Sequence, residues 1–140
     1  MATTRAALRT RVEAVCLGAP FDLTLAKAPF DFKSEPNTVV DGAVRVTLAQ
    51  QQVRGRLGMY EEAQDECTIW VARSLRADAH AVYLALETEL QSLRAAVIRD
   101  GLGDGDFAVV DGGSASIEHA PGQPFVVGRL ALLINYETQV

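Results

Sequence analysis

The sequence has 140 residues, a length that fits a single domain over residues 1–140. Hydrophobic residues make up 49% and charged residues 22%, which is typical of a globular protein and excludes an intrinsically disordered chain. The net charge of −5 excludes a protein whose whole surface attracts nucleic acid or an anionic membrane, and leaves open DNA contact at a local basic patch.

The two cysteines are too few for the disulfide framework of a small secreted domain. We predict that Cys16 and Cys67 are buried thiols in a reducing compartment. No stretch approaches the roughly 20 apolar residues of a transmembrane helix, and the first residues lack the apolar run of a secretory signal. We therefore expect a cytoplasmic protein without a membrane partner.

Residues 4–17 are predicted to form a short amphipathic helix. Leu8, Val12 and Val15 share one face, one of the two preceding threonines can cap the start, and Gly18 ends the helix.

Three arginines of this helix, Arg5, Arg9 and Arg11, lie off the apolar face. They either form a solvated surface or make polar contacts with a neighbouring subunit. On the second interpretation, Arg5 and Arg9 are candidate subunit-interface residues.

Residues 18–42 are predicted to form an irregular, proline-bearing arm, because its three prolines remove backbone donors. Phe21, Phe30 and Phe32 lie among these prolines, and their rings must be buried somewhere. The arm either faces a partner or folds back over the core of its own chain. In the first case these three residues are candidate subunit-interface residues too.

Residues 43–50 and 63–72 alternate apolar and polar side chains, the pattern of half-buried strands. We predict an antiparallel hairpin in which Gly55 and Gly58 break the chain between the two strands. Residues 107–119 and 125–136 are predicted to form two more strands.

The clearest helical pattern covers residues 78–99. Asp78 is the expected N-cap, and Gly101 is expected to close the helix. Five apolar side chains share one face of it: Val82, Leu86, Leu90, Leu93 and Val97.

The order of these elements lacks the strand–helix–strand alternation of a parallel sheet. We therefore predict an α+β fold, with a mainly antiparallel sheet packed against an N-terminal helix and one long helix. A bulge or turn is expected at Asp111-Gly112-Gly113 in the third strand.

The Gly-rich segment from Asp100 to Asp106 is the main candidate for chemistry. Asp100, Asp104 and Asp106 offer oxygen ligands to a hard cation, but their spacing is not that of an EF-hand. No Gly-Lys-Ser/Thr follows, as it would in a phosphate-binding loop. We prefer a plain helix-to-strand turn.

No pattern indicates a zinc site or a nucleophile. His80 and His119 form no HxxxH pair, and the cysteines form no CxxC pair. Ser114 and Ser116 lie near His119 in one predicted strand, where side chains alternate between faces and cannot form a triad alone. We predict a non-enzymatic protein with no metal and no cofactor.

The chain begins with a helix, RAALRTRVEAV, and continues through the arm to a strand, CTIWVAR. A long helix follows, DAHAVYLALETELQSLRAAV, and then the last strand, GRLALLINYET. In this order of elements and in its last strand, nearly the whole chain resembles the tail terminator (tail completion) proteins of long-tailed bacteriophages and related tail-like particles.

The resemblance implies a structural virion protein at the head–tail junction, assembled in the host cytoplasm. Members of that family form hexameric rings that cap the tail tube and join it to the head connector. The implied partners are copies of the chain itself, the tail tube protein and the head connector or neck protein. DNA would pass through the ring without sequence-specific binding, and a negative charge would keep phosphates from adhering.

Two other interpretations stay open. One is a head–tail connector or neck protein, and the other is a small enzyme or cation-binding protein that uses the Asp100–Asp106 turn. Particle mass in solution separates them, because a ring supports the terminator. A monomer that converts a substrate or needs Ca²⁺ supports the enzyme, and a monomer without such activity favours the connector.

Overall fold

The structure of the chain is a computed structural model, which describes residues 3–35, 38–57, 60–75, 78–104 and 107–139. These residues form two helices and five strands, which confirms the predicted α+β class. In chain order the elements are α1 (Arg5–Leu17), β1 (Thr24–Leu25), β2 (Ala43–Leu57), β3 (Tyr60–Ser74), α2 (Ala79–Asp104), β4 (Phe107–Glu118) and β5 (Phe125–Gln139).

The described strands form one sheet in the order β1-β2-β3-β5-β4. The pairs β2–β3, β3–β5 and β5–β4 are antiparallel, which agrees with the predicted mainly antiparallel sheet, although the pairing of β3 with β5 was not itself predicted. The short β1 instead pairs in parallel with the first two residues of β2. The last strand in the sequence therefore lies near the middle of the sheet, and β4 lies at one edge.

The β2–β3 hairpin is longer than predicted. Its pairing continues to Leu57 and Tyr60, so Gly55 lies inside a strand rather than ending one. Two register shifts occur in this half of the hairpin, and such bulges let a strand continue past an extra residue. Gly58, the other predicted break, lies outside the described residues.

Both helices pack on the same face of the sheet, because alternate strand residues point toward them and form one continuous core. The predicted apolar face of α2 is confirmed, with Val82 at its margin. In α1, Cys16 joins Leu8 and Val12 in the core, whereas Val15 is half-buried. Fully buried members of the core include Leu86, Leu90, Leu93 and Val97 of α2, and Val44, Ile69, Val71, Leu130 and Ile134 of the sheet.

The helix starts are as predicted, but the end of α2 is not. Thr4 caps α1 by accepting a hydrogen bond from the Ala7 amide, and Asp78 does the same for α2. α2 continues past Gly101 to Asp104, so the predicted stop was wrong. A Cβ at Gly101 would lie 2.7 Å from the Phe107 ring, so the glycine makes room for β4 to pack on the helix.

The described part of the arm folds over its own chain. Phe21 is 8% exposed and belongs to the main core, under the helices. Phe30 is 4% exposed and packs with Phe125 and Val127 in a second cluster, on the sheet face that carries no helix. Phe32 is half-buried against that cluster. The arm therefore passes round one edge of the sheet and covers part of both faces.

The predicted interruption of β4 is confirmed, because its pairing with β5 shifts register between Val109 and Ser114. Gly113 has a φ of +64°, and a Cβ there would lie 1.4 Å from the Ala131 carbonyl oxygen. Glycine is therefore required at this point of the bulge.

Candidate functional site

The sheet has two open edges within the described residues. β1 pairs only with Ala43 and Val44, so the outer edge of β2 from Arg45 to Leu57 has no partner strand. β4 is open along its whole outer edge. Such strands present unpaired N–H and C=O groups that can accept a further strand. Two unlike edges suit head-to-tail assembly, in which one surface of a copy meets a different surface of the next.

The register places Arg45 on one open edge and Ser116 on the other in the same row across the sheet. Ser116 of β4 lies opposite Arg129, Arg129 opposite Trp70, and Trp70 opposite Arg45 of β2. Three successive antiparallel steps also make β2 and β4 run in opposite directions. Two copies joined by these edges at one level would therefore pair β4 with β2 in the antiparallel sense.

A groove of about 530 Å³ lies beside the β4 edge. Tyr83, Glu87 and Gln91 of α2 form one wall, and Ala115 and Ile117 of β4 contribute to the other. The groove is partly polar, and Glu87 makes no ion pair with any described residue. A neighbouring chain on this edge would lie against it.

One carboxylate is completely buried at the helix face of the sheet. Asp65 is 0% exposed and accepts hydrogen bonds from Arg5 Nε at 2.6 Å and from the Tyr136 hydroxyl at 3.0 Å. The hydrogen bond to Asp65 raises the pKa of Arg5, and burial followed by the nearby carboxylate raises the pKa of Tyr136. This network ties the start of α1 to the middle of the sheet.

A second cavity, of about 260 Å³, lies where α2 meets the end of β3. Arg73 donates a hydrogen bond from Nε to Glu89 at 3.1 Å and reaches Asp41 at 3.9 Å. The hydrogen bond to Glu89 is the main cause of the raised pKa of Arg73. Because its charges are paired within the chain, this site resembles a structural ion-pair cluster more than a reactive one.

The predicted interface residues fall into different environments. Arg5 is 44% exposed but holds Asp65, and Phe21 and Phe30 are covered by their own chain. Arg9 is exposed and makes no ion pair with a described residue, and Phe32 keeps part of its surface. The structure thus leaves Arg9 and Phe32 as the more available members, and their contact with a neighbour stays a prediction.

The predicted turn from Asp100 to Asp106 begins later than expected, because residues 100–104 belong to α2. Asp100 lies within α2 and accepts a hydrogen bond from Arg11 Nε at 2.9 Å, which joins the two helices. The side chain of Asp104 and the whole of Asp106 lie outside the described residues. Within the described part of the chain, no group of three or more His, Cys, Asp or Glu side chains is placed to hold a metal ion.

The remaining reactive side chains are also accounted for locally. Cys16 and Cys67 are free, buried thiols, as predicted, and burial raises the pKa of each to about 12. His119 Nε2 bonds the Gln123 carbonyl at 2.8 Å, and His80 is exposed at the start of α2.

The open edges could have been found from the sequence only with the strand order in hand. The Gly-Gly-Ser-Ala-Ser run of β4 does carry the small polar side chains that are tolerated on an exposed edge.

A comparison with known protein families finds no family model that matches this sequence, and a comparison with curated proteins finds no matching relative. The resemblance to tail terminators therefore stays a prediction. No helix in the described ranges combines the length and apolarity that crossing a membrane requires.

Proposed function

We propose that this chain is a structural subunit that joins copies of itself into a closed ring. In the terminator role that its sequence resembles, the ring caps the tail tube and joins it to the head connector. The observation that carries the proposal is the pair of unlike, open sheet edges on opposite sides of one sheet. The ring closes when β4 of each copy pairs with β2 of the next.

The short β1 sets the limits of this pairing. It occupies the outer edge of β2 at Ala43 and Val44, which are level with residues 117 and 118 of β4. The free length of β2 therefore matches β4 up to Ser116. The negative net charge favours passage of DNA through the ring without strong adhesion, since the chain as a whole repels phosphates.

The proposal is tested by the mass of the purified protein. Sedimentation velocity over a hundredfold concentration range should show a species several times the mass of one chain, and negative-stain images should show rings with a central hole. A protein that stays monomeric throughout contradicts the ring. In that case, binding to a purified tail component points to a connector, and turnover of a substrate points to an enzyme.

A single substitution tests whether the β4 edge forms the joint. Ser114→Lys puts an ammonium group on the exposed part of that edge, and edge lysines oppose strand pairing. The variant should shift the protein from ring to monomer. Ser92→Lys adds the same charge to an exposed position of α2 and should leave the particle mass unchanged. Equal masses for the two variants would place the joint elsewhere.

A further inference from the structure

The face of the sheet opposite the helices carries a row of two arginines and one tryptophan. Arg45, Trp70 and Arg129 lie directly opposite one another on β2, β3 and β5, and we call them the arginine–tryptophan row. Their parity is opposite to that of the core residues Val44, Ile69 and Leu130, so they point away from the helices.

Both guanidinium groups lie against the indole ring of Trp70. The guanidinium carbon of Arg45 lies 5.3 Å from the Trp70 ring centre, and that of Arg129 lies 5.2 Å from it. Since the two arginines stand on the strands either side of Trp70, the ring fixes both in place. Arg45 is anchored further by a hydrogen bond from Nη1 to the Phe30 carbonyl at 3.3 Å.

The charge of this row is not neutralised within the described chain. Neither Arg45 nor Arg129 forms an ion pair with a described carboxylate, whereas Arg5, Arg11 and Arg73 each do. Nε of Arg129 and Nε1 of Trp70 are buried and have no hydrogen-bond partner among the described residues. Two guanidinium groups therefore lie preorganised on a helix-free face, and no described carboxylate neutralises their charge.

We infer that the arginine–tryptophan row binds phosphate oxygens through the terminal amino groups of Arg45 and Arg129. Guanidinium groups match phosphate geometry, and stacking on an aromatic ring reduces the entropy lost when they bind. The hydroxyl of Ser116, exposed on the neighbouring β4 position opposite Arg129, is a further donor. Such contacts carry no base-sequence information. This inference is independent of the ring.

Glu118 lies one row away and weakens the site. It shares the helix-free face and is the neighbour of Ser116 along that face of β4, but makes no ion pair with Arg129. Its negative charge lowers the affinity for an anion, so Glu118→Gln should strengthen binding. A site for carboxylates would respond with the same sign, so the identity of the anion needs a direct comparison of probes.

The single tryptophan of the chain is Trp70, so the intrinsic tryptophan fluorescence reports directly on this row. Titration of the full chain with inorganic phosphate should give a saturable change in emission, and sodium chloride at equal ionic strength should not. A short single-stranded DNA tests phosphodiesters as the source of the oxygens. A poly-glutamate peptide of equal charge tests carboxylates.

Arg129→Gln and Arg45→Gln should each weaken the binding of phosphate or DNA at least about tenfold, because each removes charge-assisted hydrogen bonds. Arg99→Gln on the exposed side of α2 is the matched control and should bind as the wild type does. Circular dichroism shows whether each variant folds. If one of the two row variants does not fold, the other still tests the site.

Saturable binding of either phosphate source, lost in the row variants, supports the site. Binding of DNA alone identifies phosphodiesters as the ligand, and binding of phosphate alone identifies a small free anion. A response no larger than that to chloride overturns the inference. So does a row variant that titrates like the wild type, or a response to poly-glutamate only.

Discussion

Asp65 is a carboxylate that the fold buries completely. A buried carboxylate is costly unless hydrogen bonds replace its water, and Asp65 receives them from Arg5 and Tyr136. Since Arg5 comes from α1 and Tyr136 from β5, one side chain connects three elements.

Replacing Asp65 with Asn keeps its shape but removes the charge from these hydrogen bonds. Asp65→Asn should lower the free energy of unfolding by about 1–3 kcal/mol, because the hydroxyl and the guanidinium lose a charged acceptor. Urea unfolding measures the difference. The control is Glu66→Gln, one residue along the strand and half-buried on the other face, which should change stability little. If Asp65→Asn lowers the free energy of unfolding no more than Glu66→Gln does, the charge of Asp65 does not contribute to stability.

The two buried thiols predict a loss of stability at alkaline pH. The pKa of Cys16 and of Cys67 is raised from 9.0 to about 12 by burial. Because the folded-state pKa is the higher one, the stabilisation is complete below pH 9 and is lost as pH rises from 9 toward 12. Between pH 8 and pH 10 we expect a loss of about 1 kcal/mol per thiol.

Urea unfolding at the two pH values measures this slope. The double variant Cys16→Ala/Cys67→Ala should be less stable at both, since it leaves cavities, but its stability should fall less between them. A slope equal to that of the wild type would show that the thiols do not cause the alkaline loss.

At the scale of single residues, the sequence contains part of this information. The alternation in β3 gives Asp65 the same parity as Cys67, Ile69 and Val71, which would have marked it as an inward-facing acid. Its partner Arg5 is 60 positions away in the sequence, and only the folded chain brings them together. For the same reason, the sequence predicted Arg5 on a solvated or subunit-interface surface and not beside Asp65.

Among the elements, the end of α2 shows how packing overrides a local signal. Gly101 is the residue type of a helix stop, yet α2 continues to Asp104, and the missing Cβ leaves the space in which Phe107 packs. Gly101→Ala favours the helix by its propensity but puts a methyl group into the ring. The steric strain should outweigh the gain in helix propensity, so the free energy of unfolding should fall by about 1–3 kcal/mol.

Thermal or urea unfolding checks this, and a second substitution identifies the cause. Phe107→Leu removes the contact with the ring but leaves the Phe107 carbonyl oxygen 2.9 Å from the added Cβ. Adding Gly101→Ala to a Phe107→Leu background should therefore cost less than adding it to the wild type, without becoming neutral. If Gly101→Ala stabilises the wild type, helix propensity governs this position and the contact with Phe107 does not.

The same comparison explains which elements could be predicted. Both helices and the four long strands follow from periodicity, since their apolar faces reach one core. β1 and the length of the hairpin do not. Thr24 and Leu25 form a strand only because Ala43 and Val44 are beside them, and β2 passes Gly55 because β3 continues to pair with it.

For the whole molecule, the proposed ring places the helices of adjacent copies side by side. α1 packs over β2 and α2 packs over β4, so joining these edges puts α1 of one copy beside α2 of the next. Within a chain, Arg11 and Asp100 mark the flanks on which the two helices meet. Arg9 lies about 200° round α1 from Arg11, and Glu87 about 220° round α2 from Asp100, at 3.6 residues per turn. Both therefore lie on the outer flanks.

Arg9 of one copy should consequently face Glu87 in the groove of the next. Arg9→Glu and Glu87→Arg should each shift the ring toward monomer, because each sets like charges against each other at every joint. The double variant Arg9→Glu/Glu87→Arg should recover the ring mass in sedimentation velocity. Arg99→Glu, an equal charge change on the exposed side of α2, should leave that mass unchanged.

Mixing the two single variants gives the sharpest form of this test. In an alternating ring, Glu at position 9 of one chain meets Arg at position 87 of the next, and the following joint keeps Arg9 opposite Glu87. An equimolar mixture should therefore assemble although neither variant does so alone. A ring that forms in both single variants rejects the Arg9–Glu87 contact but leaves the edge-joined ring standing, whereas a monomeric wild type rejects both.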